Sequence, residues 1–279
     1  MTVSFRSLEQ QHAPIVALHS SASNSGQWRT LAKDLEGRFS VHAFDLPGYG
    51  HTPLPVDTSH VGASVSADGV IAEIEHLGRA VHLVGHSNGG GIAMKVAQMR
   101  PDLVKSLTLY EPATFHFLKT GTEAERRLFC EIQQVAGMVT ASAADGAAAA
   151  GMQHFLDFWN GAGFWNTLPD PARQKFTAMI ASVMTDFAIG FAETWTLRDL
   201  SALEIPTLVM TGLESPEITQ HVSLAIAKAL PSARIALLPE LGHMAPVFQP
   251  DWVNSRILEH VVGVERPVVN CSWPQQAAA

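Results

Sequence analysis

Cysteine is scarce in this 279-residue sequence: Cys130 and Cys271 are the only two. They cannot build a disulfide framework, and they suit a reducing compartment. Clusters of Lys and Arg are absent, and the formal net charge is −8. A nucleic-acid partner is therefore disfavoured, because phosphate binding needs a basic face. No apolar run reaches about 18 residues, so no membrane span is expected. The opening stretch, MTVSFRSLEQQHAP, has neither the basic start nor the apolar run of a signal peptide. These absences lead to the expectation of a soluble, cytoplasmic protein. There is also no G-x-G-x-x-G, no G-K-[ST], no H-E-x-x-H and no Cys/His cluster at zinc spacing. The sequence thus calls for no metal and no cofactor.

What is abundant is apolar material. Hydrophobic residues make up 47% and charged residues 16%, enough for a sizeable core. Near-continuous apolar runs occur at 13–19, 40–45, 80–86, 106–111, 206–212 and 234–240. Runs of this kind are expected of strands buried on both faces, as in a mostly parallel sheet. Helix-like segments separate them at 26–36, 62–77, 88–100, 216–230 and 250–263. The alternation predicts an α/β fold with a central parallel sheet flanked by helices. Residues 113–199 hold no convincing strand. Helical pieces at 122–144, 146–160, 170–185 and 187–198 predict a helical cap inserted before the penultimate strand. The expected organisation is a core of 1–112 and 200–265, a cap of 113–199, and a C-terminal tail of 266–279.

HLVGHSNGGG, at 82–91, carries the chemistry. A strand ends, G-x-S-x-G follows, and a helix begins. In that setting the turn is so sharp that Ser87 must take a strained conformation, with its hydroxyl raised at the strand's end. The glycines remove side chains where strand and helix crowd. The backbone N–H of Asn88, next to the serine, faces the place where negative charge develops. These features identify Ser87 as a candidate nucleophile.

Nearly the whole chain resembles the α/β-hydrolase superfamily. Besides the serine turn, LHSSASNSGQW (18–28), FDLPGYGHT (44–52) and LPELGHMAP (238–246) are similar to its hallmark segments. The resemblance implies that His243 is the catalytic base and that the loop after His19 supplies a second oxyanion donor. Ser21 is the expected donor and Ala22 the runner-up. The family often has His-Gly where this chain has His19-Ser20, and Ser20 tolerates a positive φ poorly. His86 is expected to pack and His19 to make a structural hydrogen bond.

The acid is where the chain departs from the pattern. Many members place Asp three residues after the glycine that ends the penultimate strand; counted from Gly212, that position is Ser215. Glu214, one residue earlier, is the first candidate. Glu111 is the alternative, because some branches carry a glutamate after the strand that follows the nucleophile helix. Pro112 is expected to hold Glu111 extended. Aromatic residues crowd the cap, with 155/158/159 and 187/191/195 spaced as single helix faces. Trp159 and Trp165, flanking a Gly-rich loop, are the candidate pocket residues.

The function implied is hydrolysis of a small-to-medium, mostly apolar carboxylic ester or lactone through an acyl-enzyme. The same residues would serve C–C bond hydrolysis or perhydrolysis, and a non-catalytic ligand-binding protein on this fold is a further alternative. The expected partner is a small apolar molecule, neither nucleic acid nor membrane, with the oligomeric state open.

Overall fold

A computed structural model describes residues 12–54 and 63–266. The N-terminal stretch, Cys271 and all but the first residue of the expected tail lie outside the described residues. Six strands form one sheet: β1 (Ile15–Leu18), β2 (Val41–Phe44), β3 (Val81–His86), β4 (Val104–Tyr110), β5 (Thr207–Gly212) and β6 (Ala233–Leu238). Their order is β2-β1-β3-β4-β5-β6, and every neighbouring pair is parallel. The α/β architecture with a central parallel sheet is the one expected. Each of the six apolar runs overlaps one strand, with β4 starting two residues and β6 one residue before its run.

Alternation within the strands builds two cores. Val16 and Leu18 of β1 face one side, Ile15 and Ala17 the other. The first side is covered by α2 (Ala63–His76), α3 (Asn88–Met99) and α10 (Glu217–Ala229), numbered in chain order. The second is covered by α1 (Arg29–Asp34) and α12 (Pro250–Glu265) through Leu31, Val253, Ile257 and Val261. Fully burying each such side chain contributes roughly 1.5–3 kcal/mol, which is what holds the strand ends in fixed register.

Between β4 and β5 every regular element is helical. A 3₁₀ segment (Phe115–Thr120) leads into α4 (Glu123–Ala144), α5 (Ala148–Asn160), α6 (Phe164–Thr167), α7 (Asp170–Thr177), α8 (Ile180–Ala192) and α9 (Leu197–Leu200). Thr122 and Glu125 form a capping box that starts α4. The turn after it falls at Asp145 and Gly146, the latter at φ 73°.

Two expectations fail here. The break expected near residue 186 lies instead between α7 and α8, and α8 runs through Asp186. That residue does not cap a helix, because its carboxylate is occupied by partners outside the insertion. Trp195 is not on the face of Phe187 and Phe191, since α8 ends at Ala192. It packs instead beside His116 and Phe117.

Candidate active site

The loops at the carboxyl ends of β1, β3, β4, β5 and β6 converge under the helical insertion. At the end of β3 the chain turns into α3 through Ser87, whose φ is 53° and ψ −118°. A Cβ on Gly85 would sit 2.5 Å from the Gly89 carbonyl oxygen. One on Gly89 would sit 2.5 Å from the carbonyl oxygens of Leu18 and His19. Side chains at either place would push the turn off the sheet. Asn88 is the first residue of α3, so its N–H has no partner within the helix.

His243 Nε2 lies 3.1 Å from Ser87 Oγ, and His243 Nδ1 lies 2.7 Å from Glu111 Oε2. All three residues are buried. Glu111 Oε1 accepts from Thr211 Oγ1 at 2.8 Å and from the Gly212 N–H at 2.7 Å. With Oε1 so occupied, Oε2 accepts the Nδ1–H of His243. That fixes the tautomer and leaves Nε2 as the acceptor of the serine proton.

The acid beside His243 is therefore Glu111, not Glu214. Glu214 is exposed, and its N–H donates to the Leu241 carbonyl at 3.0 Å. The chain after β5 keeps pairing with the histidine loop, which leaves the Glu214 side chain in an open groove. Ser215 is buried, and its Oγ has no hydrogen-bond partner among the described residues. Glu111 is also not extended, as Pro112 had suggested. It has φ 45°, in the left-handed region. The Glu111 N–H continues the ladder to the Met210 carbonyl at 3.0 Å, and two residues later Ala113 N–H donates to the Ser87 carbonyl at 2.9 Å. The chain must reverse sharply between these bonds, and three hydrogen bonds to the carboxylate offset the strain.

A second network sets the loop after β1. Gln27 Oε1 accepts from the Ser20 N–H and hydroxyl, both at 3.2 Å. Gln27 Nε2 donates to His86 Nδ1 at 3.1 Å, and His86 Nε2 donates to the His243 carbonyl at 2.9 Å. The directions agree only if His86 is neutral, and burial pushes its pKa well below the usual value. His19 is also neutral. Leu46 N–H donates to its Nε2 at 2.9 Å, its Nδ1 donates to the Ser20 carbonyl at 2.7 Å, and burial lowers its pKa to about 4. The positive φ of this loop falls on Ala22, at 56°, and not on Ser20. Ser21 lines the same cavity as Ser87 and Asn88.

Asp186 is the residue that sequence reasoning missed. It descends from α8, and its Oδ2 accepts from both Ser21 Oγ and Tyr49 Oη at 2.5 Å. The Asn88 side chain is a further hydrogen-bond partner. Burial raises its pKa to about 6 against these stabilising bonds. A signal was available: Asp186 is the single charged residue in the 13 residues of α8.

Two cavities meet at Ser87. The inner, of ≈ 30 Å³, is lined by Ser21, Asn88 and Asp186 and by apolar groups such as Phe115, Val183 and Phe187. The outer, of ≈ 180 Å³, is lined by His243, Leu156, Phe164, Leu168, Phe176 and Phe248. Trp159 borders both, and its ring stacks on His243 with centroids 4.3 Å apart and planes at 29°. Trp165, the other expected pocket residue, is buried in the core and borders neither cavity. Its backbone N–H donates to Asp157 Oδ1 at 2.7 Å, which turns the start of α6 inward.

The sequence profile of the alpha/beta hydrolase family matches residues 15–256. Among curated proteins, the chain is 26% identical to a dihydrolipoyllysine-residue acetyltransferase component of an acetoin cleaving system from Pseudomonas putida. That match covers 88% of this chain but only 62% of the relative. The chain is also 26% identical to a pimeloyl-[acyl-carrier protein] methyl ester esterase from Aeromonas hydrophila, over 91% of this chain and 96% of the relative. Among solved structures, the enol-lactonase from Burkholderia xenovorans superposes with a TM-score of 0.71 at 18% identity, covering 90% of this chain and 92% of the other.

Proposed function

The chain belongs to the alpha/beta hydrolase family, and from that premise we propose that it is a serine hydrolase acting on a carboxylic ester or lactone with mostly apolar substituents. The observation that carries the reading is the buried relay from Ser87 through His243 to Glu111, opening onto apolar cavities. Ser87 Oγ attacks the carbonyl carbon as its proton passes to His243 Nε2. Glu111 stabilises the resulting imidazolium, and the Trp159 ring face lies against it. The carbonyl oxygen, now negative, turns toward the backbone N–H groups of Asn88 and Ser21. Collapse of this intermediate breaks the bond to the alkoxy oxygen, which takes the proton from His243. A water molecule then repeats the sequence on the acyl-enzyme, releasing the acid and restoring Ser87.

The helical insertion acts as a cap in this reading, since its aromatic groups wall both cavities and keep bulk water from the intermediate. The apolar walls favour uncharged acyl and alkyl groups. The ester and lactone chemistry named for the relatives is consistent with this class.

A screen of p-nitrophenyl esters and of lactones of graded chain length tests the reading, alongside labelling by a fluorophosphonate probe. Turnover and labelling are both expected, and both should vanish in Ser87→Ala. Labelling that survives in Ser87→Ala, or its absence from the native protein, would sink the proposal.

A further inference from the structure

Resting on the serine-hydrolase reading, the geometry separates the two sides of the scissile bond. The leaving oxygen must receive its proton from His243 Nε2. His243 borders the outer cavity and not the inner one. The alcohol part of the substrate therefore lies in the outer cavity. The acyl chain is left to the inner cavity, past Ser21 and Asn88.

The inner cavity does not end in apolar packing. It shares Asn88, Ala113, Asp186 and Gly190 with a neighbouring cavity, also of ≈ 30 Å³, that adds Thr114, His116 and Trp195. These three are 3%, 6% and 8% exposed. Among the described residues, Thr114 Oγ1 and Trp195 Nε1 have no hydrogen-bond partner. Buried polar groups are nearly always paired, and each orphan forfeits about 1–3 kcal/mol. A cluster of them around one cavity, joined to the acyl side of the site, marks a place where a polar group is received.

The charge around the cavity selects the kind of group. Asp186 and Glu193 both border it, so a carboxylate is repelled. Lys95 lies 3.4 Å from Glu193 and 5.7 Å from the Trp195 ring centroid, so the charge of Glu193 is already paired and offers no free partner to an ammonium. A hydroxyl can donate to Asp186 or Thr114 Oγ1 and accept from Trp195 Nε1. We propose that the acyl group of the substrate carries a neutral hydroxyl at its far end, received by Asp186, Thr114 and Trp195.

The test compares p-nitrophenyl esters matched in heavy atoms: 3-hydroxybutanoate against 3-methylbutanoate, and 6-hydroxyhexanoate against heptanoate. The readout is the ratio of kcat/KM values, divided by the ratio of their hydroxide-catalysed rates and normalised to the serine titrated by fluorophosphonate. In the native protein the hydroxy ester of at least one pair is expected to be favoured by about fivefold or more, the size of one or two hydrogen bonds. That preference should fall at least about threefold in Thr114→Val and in Trp195→Phe. A ratio at or below one in both pairs overturns the proposal. So does a ratio that neither variant changes, which would mean that the cavity holds only water. A preference for carboxyl-terminated or amino-terminated acyl groups overturns it too. Flat ratios with normal serine labelling reject this proposal alone; absent labelling with absent turnover rejects the serine-hydrolase reading beneath it.

Discussion

Two neighbouring strands end in glutamates with opposite fates. Glu111 follows β4 by one residue; Glu214 follows β5 by two. Glu111 is fully buried at φ 45° and takes hydrogen bonds from Thr211, Gly212 and His243. Glu214 is exposed in a groove that His243 also borders. The two carboxylates share a chemistry and nearly a place. What separates them is the backbone. The chain after β4 reverses over the serine turn and drives its side chain inward. The chain after β5 runs on beside the histidine loop and turns its side chain out. A carboxylate works on a histidine only where the main chain has already supplied its other partners, because ion pairing without that support does not offset desolvation.

The largest expected effect breaks the pair apart. Glu111→Gln should lower kcat by roughly 10⁴, since an amide favours the wrong tautomer and cannot stabilise the imidazolium. Glu214→Gln should stay within about twofold, as expected of an exposed group remote from the transition state. Steady-state rates on one ester decide it, and equal losses would undo the comparison.

The next experiment moves the acid. Ser215 is buried, its Oγ is unpartnered, and it borders the groove with His243. Adding Ser215→Asp to Glu111→Gln should recover about tenfold or more of the lost kcat, by giving Nδ1–H a charged acceptor again. No recovery in a correctly folded double variant would mean that the end of β5 cannot reach the ring.

Burial also leaves a mark on stability. His19, His82 and His116 each have pKa values lowered to about 4, chiefly by burial. Unfolded, they titrate near the ordinary 6.5, so between these values the unfolded chain binds more protons. Their effect is that stability falls as pH drops from about 6.5 toward 4. Thermal unfolding across that range should show a falling midpoint, and a flat profile would contradict the neutral assignments.

Asp186 gives the smallest effect and the opposite sign. Its folded pKa of about 6 exceeds the ordinary 3.8, so the folded state holds the proton more tightly. Stability from this group is present at low pH and lost as pH rises through about 6. Asn at this position can still accept from Ser21 and Tyr49. The loss accumulates between 3.8 and about 6, so Asp186→Asn should raise the melting temperature by about 2 °C at pH 8 and by less at pH 5. Glu111→Gln, which removes the charged partner of His243, should lower the melting temperature at pH 8 instead.

Much of this was legible in the chain. The six apolar runs needed no partner to be read, because burial on both faces leaves a continuous signature. Ser87 was legible because a strand, two glycines and a helix leave one place for its hydroxyl. The split between Glu111 and Glu214 was not. Counting from Gly212 gives sequence distance, whereas the choice depends on a left-handed residue before Pro112, a conformation local preference argues against. Trp165 failed for a similar reason: Asp157 turns it inward, and nothing adjacent announces that bond.

The sequence by itself determined the parallel sheet and the serine turn, since each rests on residues next to one another and on periodicity; the histidine loop was legible through the family resemblance. The tertiary structure alone decided which carboxylate lies against His243 Nδ1, and that Asp186 from the insertion meets Ser21 and Tyr49 from two core loops. Those contacts join residues separated by 132, 165 and 137 positions. Their geometry is fixed by how the strand ends and the insertion pack, and no local preference encodes that.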